Sequence, residues 1–292
     1  MVRRVYIPSR QQFSSRLGPQ RSVSSGGCIR IFLALAVAAF ALISYLGSKQ
    51  YNPVTGEDQY VAISKEQEIA LGLQSAPEME AQFGGLDADE RYQQVVQLIG
   101  EKLVAESYAA QSEYPFEFHV LADNQTVNAF ALPGGPVYVT RAMMDTLSTE
   151  GEIAAVLAHE ITHVISRHSA EQIAQQQLTQ GLTGALVLGT YDPSNPSSTS
   201  TAQIAMLIGQ LVSMKFSRTD EVEADAGGVR IMSESGYNPN SMLSVMNMLN
   251  QLNSSGTLEF FSTHPSPENR IGNIEQSIRE FFPNGVPDDL IE

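Results

Sequence analysis

The stretch TEGEIAAVLAHEITHVI, residues 149–165, decides how the rest of the chain is read. Thr149 and Glu152 make a capping box that opens a helix, and Ile153, Val156, Leu157, Ile161 and Val164 recur at the spacing of a buried helical stripe. In the middle of that helix stands His159-Glu160-Ile161-Thr162-His163. Side chains four apart share one helical face, so both imidazoles can point at a single ion while Glu160 reaches a water beside it. A catalytic zinc takes three protein ligands and keeps one open position, so a further His, Asp or Glu must come from elsewhere. The one cysteine of the 292 residues, Cys28, excludes a Cys-rich zinc module and an internal disulfide alike.

The acidic cluster Asp220 to Asp225 is the nearest source of the missing ligand, and helical geometry sorts its members. Glu221 and Asp225 are four apart and continue into Gly228, Val229 and Met232, an apolar face, whereas Glu223 continues into Ala226, Arg230 and Glu234, a wet one. A carboxylate aimed at a packed interior must be paired or metal-bound, so Glu221 and Asp225 form the inward pair. One can ligate the metal and the other can hydrogen-bond a ligand histidine. Asp220, and with it Glu223, fits an acidic helix start favoured by the macrodipole.

Outward from this site the pattern predicts an α+β body, mainly helical with a small sheet beside the motif helix. Ser64 to Gln67 caps a short helix through about Leu73, and a longer amphipathic helix runs from Asp87 to Tyr108. Phe116 to Leu121 alternates like a strand, and Ala129 to Leu132 and Val137 to Thr140 read as two extended segments joined at Pro133-Gly134-Gly135. Further helices are expected over about 219–235, 240–253 and 266–282. Residues 178–214 carry one charge, Asp192, and two apolar patches, Leu182 to Leu188 and Ile204 to Val212. They read as core or flap helices joined by a loop, with a membrane-dipping hairpin or a hydrophobic substrate surface as the alternative. His119 is expected to be a packed or hydrogen-bonded core histidine in a strand, His168 to lie at a helix carboxy terminus, and Met232, Met242, Met246 and Met248 to fill the core.

Charge divides the chain. Residues 1–50 hold seven basic side chains and no acid, while the remainder has ten basic residues against 32 acids, a net of −22. Such a body repels polyphosphate, and no basic stripe offsets it, so nucleic-acid binding is excluded. Residues 31–47, IFLALAVAAFALISYLG, are uncharged and almost wholly apolar, a span of roughly 25 Å if helical, which Ile29 and a snorkelling Arg30 extend. Tyr45, Leu46 and Lys49 crowd the place where a signal-peptide cut needs small residues, so the segment reads as an uncleaved anchor. Cys28 precedes the run, which argues against lipidation. Positive-inside orientation then keeps the leader in the cytoplasm and places the body outside, the periplasm in a bacterium. The Arg- and Ser-rich leader also fits a mitochondrial transit peptide, with the body inside that organelle. The expected organisation is a basic leader, 1–28, an anchor, 29–47, a linker, 48–59, and a catalytic domain, 60–292.

The apolar amino-terminal segment, Asn128-Ala129-Phe130-Ala131-Leu132-Pro133-Gly134-Gly135, His159-Glu160-x-x-His163, Ser217-Arg218 with Glu221-x-x-x-Asp225, and Thr263-His264-Pro265 with Arg270 occur in this order. In that combination the chain resembles the zinc metallopeptidases of the CAAX prenyl protease, HtpX and Oma-type family, over about residues 52–282. It is most similar to the single-anchor periplasmic LoiP/BepA-like branch. The resemblance implies a gluzincin fold with one Zn2+ per chain, His159, His163 and Glu221 as ligands, Glu160 as general base and Asp225 as partner of a ligand histidine. It makes Asn128, Ala129, Phe130, Ala131 and Leu132 the edge strand that binds an extended substrate backbone, a mode tolerant of many side chains. His264 is implied as an oxyanion stabiliser or a self-inhibiting fourth ligand, against a loop histidine that merely packs, and Arg270 ties the last helix to the site. The function expected is degradation of misfolded or damaged proteins on the far side of a membrane. A chaperone or assembly adaptor with latent protease activity is the alternative, and a polytopic prenyl-type protease would need further spans. Oligomeric state is not legible.

Overall fold

A computed structural model describes residues 25–190, 216–253 and 258–292. Its elements are helix α1 (Ser25–Gly47), strands β1 (Lys49–Tyr51) and β2 (Asp58–Tyr60), helices α2 (Lys65–Gln82) and α3 (Glu90–Ala105), and a 3-10 turn (Tyr108–Ser112). Strands β3 (Glu117–Leu121), β4 (Ala129–Ala131) and β5 (Pro136–Thr140) follow, then helices α4 (Arg141–Met144), α5 (Glu150–Ile165) and α6 (His168–Thr190). The chain closes with α7 (Arg218–Glu234), α8 (Asn240–Leu252), α9 (Phe260–Thr263) and α10 (Arg270–Phe281). The body is mainly helical with two small sheets.

Helix α5 is the axis of the core. Every residue from Ala154 to Ile165 is buried, because α3, α7, α8 and the sheet pack around it. Thr149 caps it by accepting from the Glu152 amide at 3.2 Å, and the Glu152 carboxylate accepts from the Ser148 amide at 2.6 Å. The apolar stripe of α3, with Val96, Ile99 and Leu103, faces this core, and Gly100 admits the ring of Phe118 where a Cβ would lie about 2.5 Å from it. Strand order is β3-β5-β4, with β3 parallel and β4 antiparallel to β5, so β5 is central and wholly buried while β4 is an edge.

Several expectations change. Helix α2 runs on to Gln82 through Pro77, because Ala76, Met79 and Phe83 pack on Phe130, Leu132 and Tyr138 and offset the lost backbone bond. Helix α3 stops at Ala105 and a 3-10 turn completes the segment. Helix α10 begins only at Arg270, after Pro265, Pro267 and a left-handed Asn269. Residues 48–59, read as a linker, fold into the β1–β2 hairpin, which grips the end of α5: Asn52 donates to the Ile165 carbonyl at 2.7 Å, and Gln59 donates to that of Ser166. His119 is half-exposed and leans on Tyr138 instead of sitting in the core. His168 is not at a carboxy terminus: Arg167 turns left-handed at φ 56°, ends α5, and makes His168 the buried first residue of α6.

The exposed helix α1 is, among the described residues, the one long and apolar enough over Cys28–Gly47 to cross a membrane, by length and composition. The apolar patch 204–212, the loop before it and the leader through residue 24 lie outside the described residues.

Candidate metal and peptide site

His159 and His163 project from one face of α5 with their Nε2 atoms 3.1 Å apart. Helix α7 crosses this face at close range because Gly227 and Gly228 are opposite it: a Cβ on Gly228 would sit 3.3 Å from the His159 amide nitrogen. That approach lays Glu221 against the imidazoles, its oxygens 3.5 Å from His159 Nε2 and 3.5 Å from His163 Nε2. Ser217, with a capping box to Asp220, fixes where α7 starts. His264, at the carboxy end of α9, completes a group of four whose donor atoms lie within 4.8 Å of one another. Its Nδ1 is 3.0 Å from Glu221 Oε1 and 3.4 Å from His159 Nε2. All four are buried, as is Glu160.

The donor set fits a divalent ion. Atoms ligating zinc tetrahedrally at about 2.0–2.1 Å stand about 3.3–3.4 Å from one another. Five of the separations here run from 3.0 to 3.5 Å, and all of them lie within 4.8 Å. The other ring nitrogen of His159 and of His163 is occupied. His159 Nδ1 is 3.0 Å from Asp225 Oδ1, and a carboxylate accepts only, so neutral His159 carries its proton there and offers the Nε2 lone pair inward. Both Glu160 oxygens, Glu221 Oε2 and His264 Nε2 are buried without a hydrogen bond, a cost that a bound ion and its water relieve.

Charge is set by the same contacts. Burial pushes the His159 pKa down, but the Asp225 and Glu221 carboxylates outweigh it and raise it to about 9. Burial lowers His163 far below the usual imidazole value, and its neighbours His159 and His168 push the same way. Burial would raise Glu221, yet His264 and His159 hold it far below the carboxylate range. Asp225 is likewise lowered against burial, chiefly by Arg270, which donates Nε and one terminal nitrogen to its two oxygens at 2.8 Å each. The same Arg270 nitrogen lies 3.1 Å from Glu221 Oε2, so one buried guanidinium holds both acids of α7.

Edge strand β4 borders the site. Thr140 donates to the Asn128 carbonyl at 3.0 Å and Leu132 to the Pro136 carbonyl at 2.8 Å, so by strand alternation Ala129 and Ala131 turn their backbone away from β5. A groove of about 390 Å³ runs along this edge to His264, with Asn128, Phe130, Ala131 and Leu132 on one side and Ser169, Gln172 and Ile173 of α6 on the other. A smaller apolar hollow, lined by Met242, Val245 and Phe260, reaches His159 and Glu160 from behind. His159, Glu160, His163, Glu221, Asp225, His264 and Arg270 thus share one cluster, with the 128–132 segment across the groove.

Three contributors escape the sequence reading. His168 holds its Nδ1 2.8 Å from His163 Nδ1, Phe216 stacks on His163 at 4.1 Å, and Phe260 stacks on His264 at 4.7 Å. His168 was within reach, since it lies just five residues beyond His163, and Phe216 immediately precedes the Ser217 cap. Neither residue belongs to a spacing rule.

Residues 89–278 match peptidase family M48. The chain is 31% identical over 244 residues to the beta-barrel assembly-enhancing protease of Yersinia pestis, covering 82% of this chain and 49% of that protein. It is 29% identical over 249 residues to the mitochondrial metalloendopeptidase OMA1 of Schizosaccharomyces pombe, covering 84% and 71%. To the beta-barrel assembly-enhancing protease of Escherichia coli it is 32% identical over 197 residues, covering 65% and 39%. The chain thus spans about half or less of the bacterial relatives' length.

Proposed function

This chain belongs to peptidase family M48, and on that premise we propose that it is a zinc-dependent endopeptidase, anchored by residues 29–47, whose domain 60–292 cuts unfolded or damaged proteins on the non-cytoplasmic side of a membrane. The observation that carries the reading is a buried carboxylate without a hydrogen bond, Glu160, beside a His159–His163–Glu221 donor set at the end of an edge-strand groove.

His159, His163 and Glu221 would hold the ion, which supplies Lewis acidity for the peptide carbonyl and acidifies water. Asp225 and Arg270 keep His159 turned so that its Nε2 lone pair stays inward. Ala131 of β4 pairs with the substrate backbone and presents one peptide bond at a time, whereas Ala129, buried with its amide donating to Asn128 Oδ1 at 3.0 Å, supports the strand. A Glu160 oxygen takes the proton from the attacking water and hands it to the leaving amine; the carboxylate is buried without a hydrogen bond, with His264 Nε2 3.6 Å from its Oε1. Recognition through backbone fits substrates that have lost their fold, and a quality-control role follows from it. Similarity to a bacterial beta-barrel assembly-enhancing protease and to a mitochondrial metalloendopeptidase is consistent with either compartment for the body.

One observation favours a second reading. His264 is fully buried against Glu221 and His159, where it can occupy the fourth position, and in that state the protein would act as an assembly adaptor with latent activity. Casein cleavage by the full chain beside its Glu160→Gln and His264→Ala variants, with zinc content determined on all three, separates the readings. The first predicts zinc in all and no cleavage in Glu160→Gln. The second predicts that the parent is silent and His264→Ala cuts. Zinc-loaded parent and His264→Ala proteins that both fail to cut would remove the peptidase reading.

A further inference from the structure

Helix α6 leaves the site and runs antiparallel along the anchor. The stripe Ala34, Val37, Ala38, Ala41 and Tyr45 is partly covered on an α1 that is otherwise exposed over 31–47, and on α6 the matching stripe is Ala170, Ala174, Leu178, Gly181 and Ala185. Two contacts set the direction. Ala174 and Gln177 line one hollow with Ser44, Tyr45 and Gly47, and a Cβ on Gly181 would stand 2.5 Å from that of Ala41. Moving outward along α6 is therefore moving back down α1, and Gly181 lies about 9 Å short of the level of Gly47 at about 1.5 Å per residue.

The rest of α6 suits the same surroundings. No charged side chain occurs between Gln172 and Thr190, and the polar ones are neutral Gln and Thr. Its outer face shows Leu182 at 44% and Leu186 at 51% exposure, continuing the surface that α1 presents through Leu42 at 48% and Ile43 at 68%. Helices on a water-facing surface carry ions on their outer side, and this one does not. Small residues along the shared seam, with apolar ones outside, are the arrangement of two helices packed within lipid. At its other end, α6 supplies Ser169, Gln172 and Ile173 to the groove, within about one helical turn of the residues level with Gly47.

We propose that α6 beyond Gly181 lies in the same bilayer as α1, its Leu182 face against acyl chains, so that the groove stands at the membrane surface and takes polypeptide within a short reach of it. The inference rests on the reading of α1 as a membrane anchor. Extended chain covers about 3.4 Å per residue, so sites within about ten residues of the bilayer are the ones served.

The test uses the full chain with Cys28→Ser and one new cysteine at Ile43, Leu182, Leu186 or Leu98, each carrying a bimane label. Leu98, on α3, is the water-facing control at 68% exposure. In vesicles of phosphatidylcholine brominated on its acyl chains, labels at 43, 182 and 186 are expected to be quenched several-fold more than the label at 98. Quenching at 43 with 182 and 186 no different from 98 overturns the proposal and leaves the anchor standing. A label at 43 that behaves like 98 removes the anchor and the proposal with it. On the same vesicles, tethered unfolded peptides with a cleavable segment at increasing distance should be cut preferentially near the surface, and equal cutting at all distances would refute the reach.

Discussion

Nδ1 of His163 lies 2.8 Å from Nδ1 of His168, so one of these nitrogens donates to the other. If His163 is to offer the Nε2 lone pair inward, its Nδ1 carries the proton and His168 accepts, leaving His168 Nε2–H directed at Glu223, 3.4 Å away. His159 is oriented by a carboxylate and His163 by a second imidazole. Replacing His168 with Ala should therefore weaken zinc binding about 10- to 100-fold, the range for lost outer partners of ligand histidines. His168→Gln, whose amide oxygen can accept, should recover part of it. Chelator competition at fixed pH reads both, and unchanged affinity in the Ala variant would show that His168 only packs.

Metal binding should release a proton. The metal-free protein holds His159 at a pKa of about 9, raised above the ordinary value. The charged imidazole therefore stabilises the metal-free fold fully below about pH 6.5, and that contribution fades as pH rises through 9. A ligand imidazole must be neutral, so the ion displaces this proton, whereas His163 is already neutral and adds no dependence. Affinity should rise about tenfold per unit between about pH 6.5 and 8.5. Calorimetric titrations in buffers of different ionisation enthalpy count the protons, and a value near zero at neutral pH would contradict the assignment.

Arg270→Met should be among the most destabilising single changes in the chain. The guanidinium is 4% exposed and neutralises Asp225 and Glu221 together, so its loss leaves buried acids without a counter-charge, at a cost of about 3–5 kcal/mol. Denaturant unfolding of the metal-free variant beside the parent measures it. A difference under about 1 kcal/mol, the size of an exposed pair, would mean that the buried acids find other partners.

Gly134→Ala should loosen the groove. Gly134 holds φ +83° in the β4–β5 turn, and a Cβ there would overlap the backbone of Ile69 in α2. Left-handed backbone alone costs a residue with a Cβ about 1–2 kcal/mol, and the overlap adds to it. We expect a lowered midpoint in thermal unfolding and a raised KM for unfolded substrates, with zinc content unchanged. A loss of zinc instead would place the turn's influence on α5 and not on the edge strand.

The parts of this molecule that were legible are those in which one element carries its own pattern. The capped stripe around His159 and His163, the inward spacing of Glu221 and Asp225, and the turn after Leu132 each follow from local periodicity or from glycine chemistry. What was hidden depends on contacts between distant segments. Nothing local says that Pro77 sits within a helix, because the compensation is packing of Met79 and Phe83 on Phe130. Nothing local removes His168 from a helix end, because Arg167 breaks the helix there in a left-handed turn and its guanidinium pairs with Glu68, 99 residues away. The hairpin at 49–60 was concealed for the same reason, since Asn52 and Gln59 acquire their purpose only against the carbonyls that end α5.

Burial of the whole donor cluster also governs time. Phe216 lies flat on His163 and Phe260 on His264, and none of the four donors exceeds 5% exposure. The position left for water and substrate lies behind His264 and the Phe216 and Phe260 rings, so a chelator that must take it reaches the ion only through local opening. Exchange is then gated by local opening, and stripping proceeds at a rate that saturates with chelator concentration. An ion taken up at folding would then stay through short fluctuations in free metal that would empty an open site.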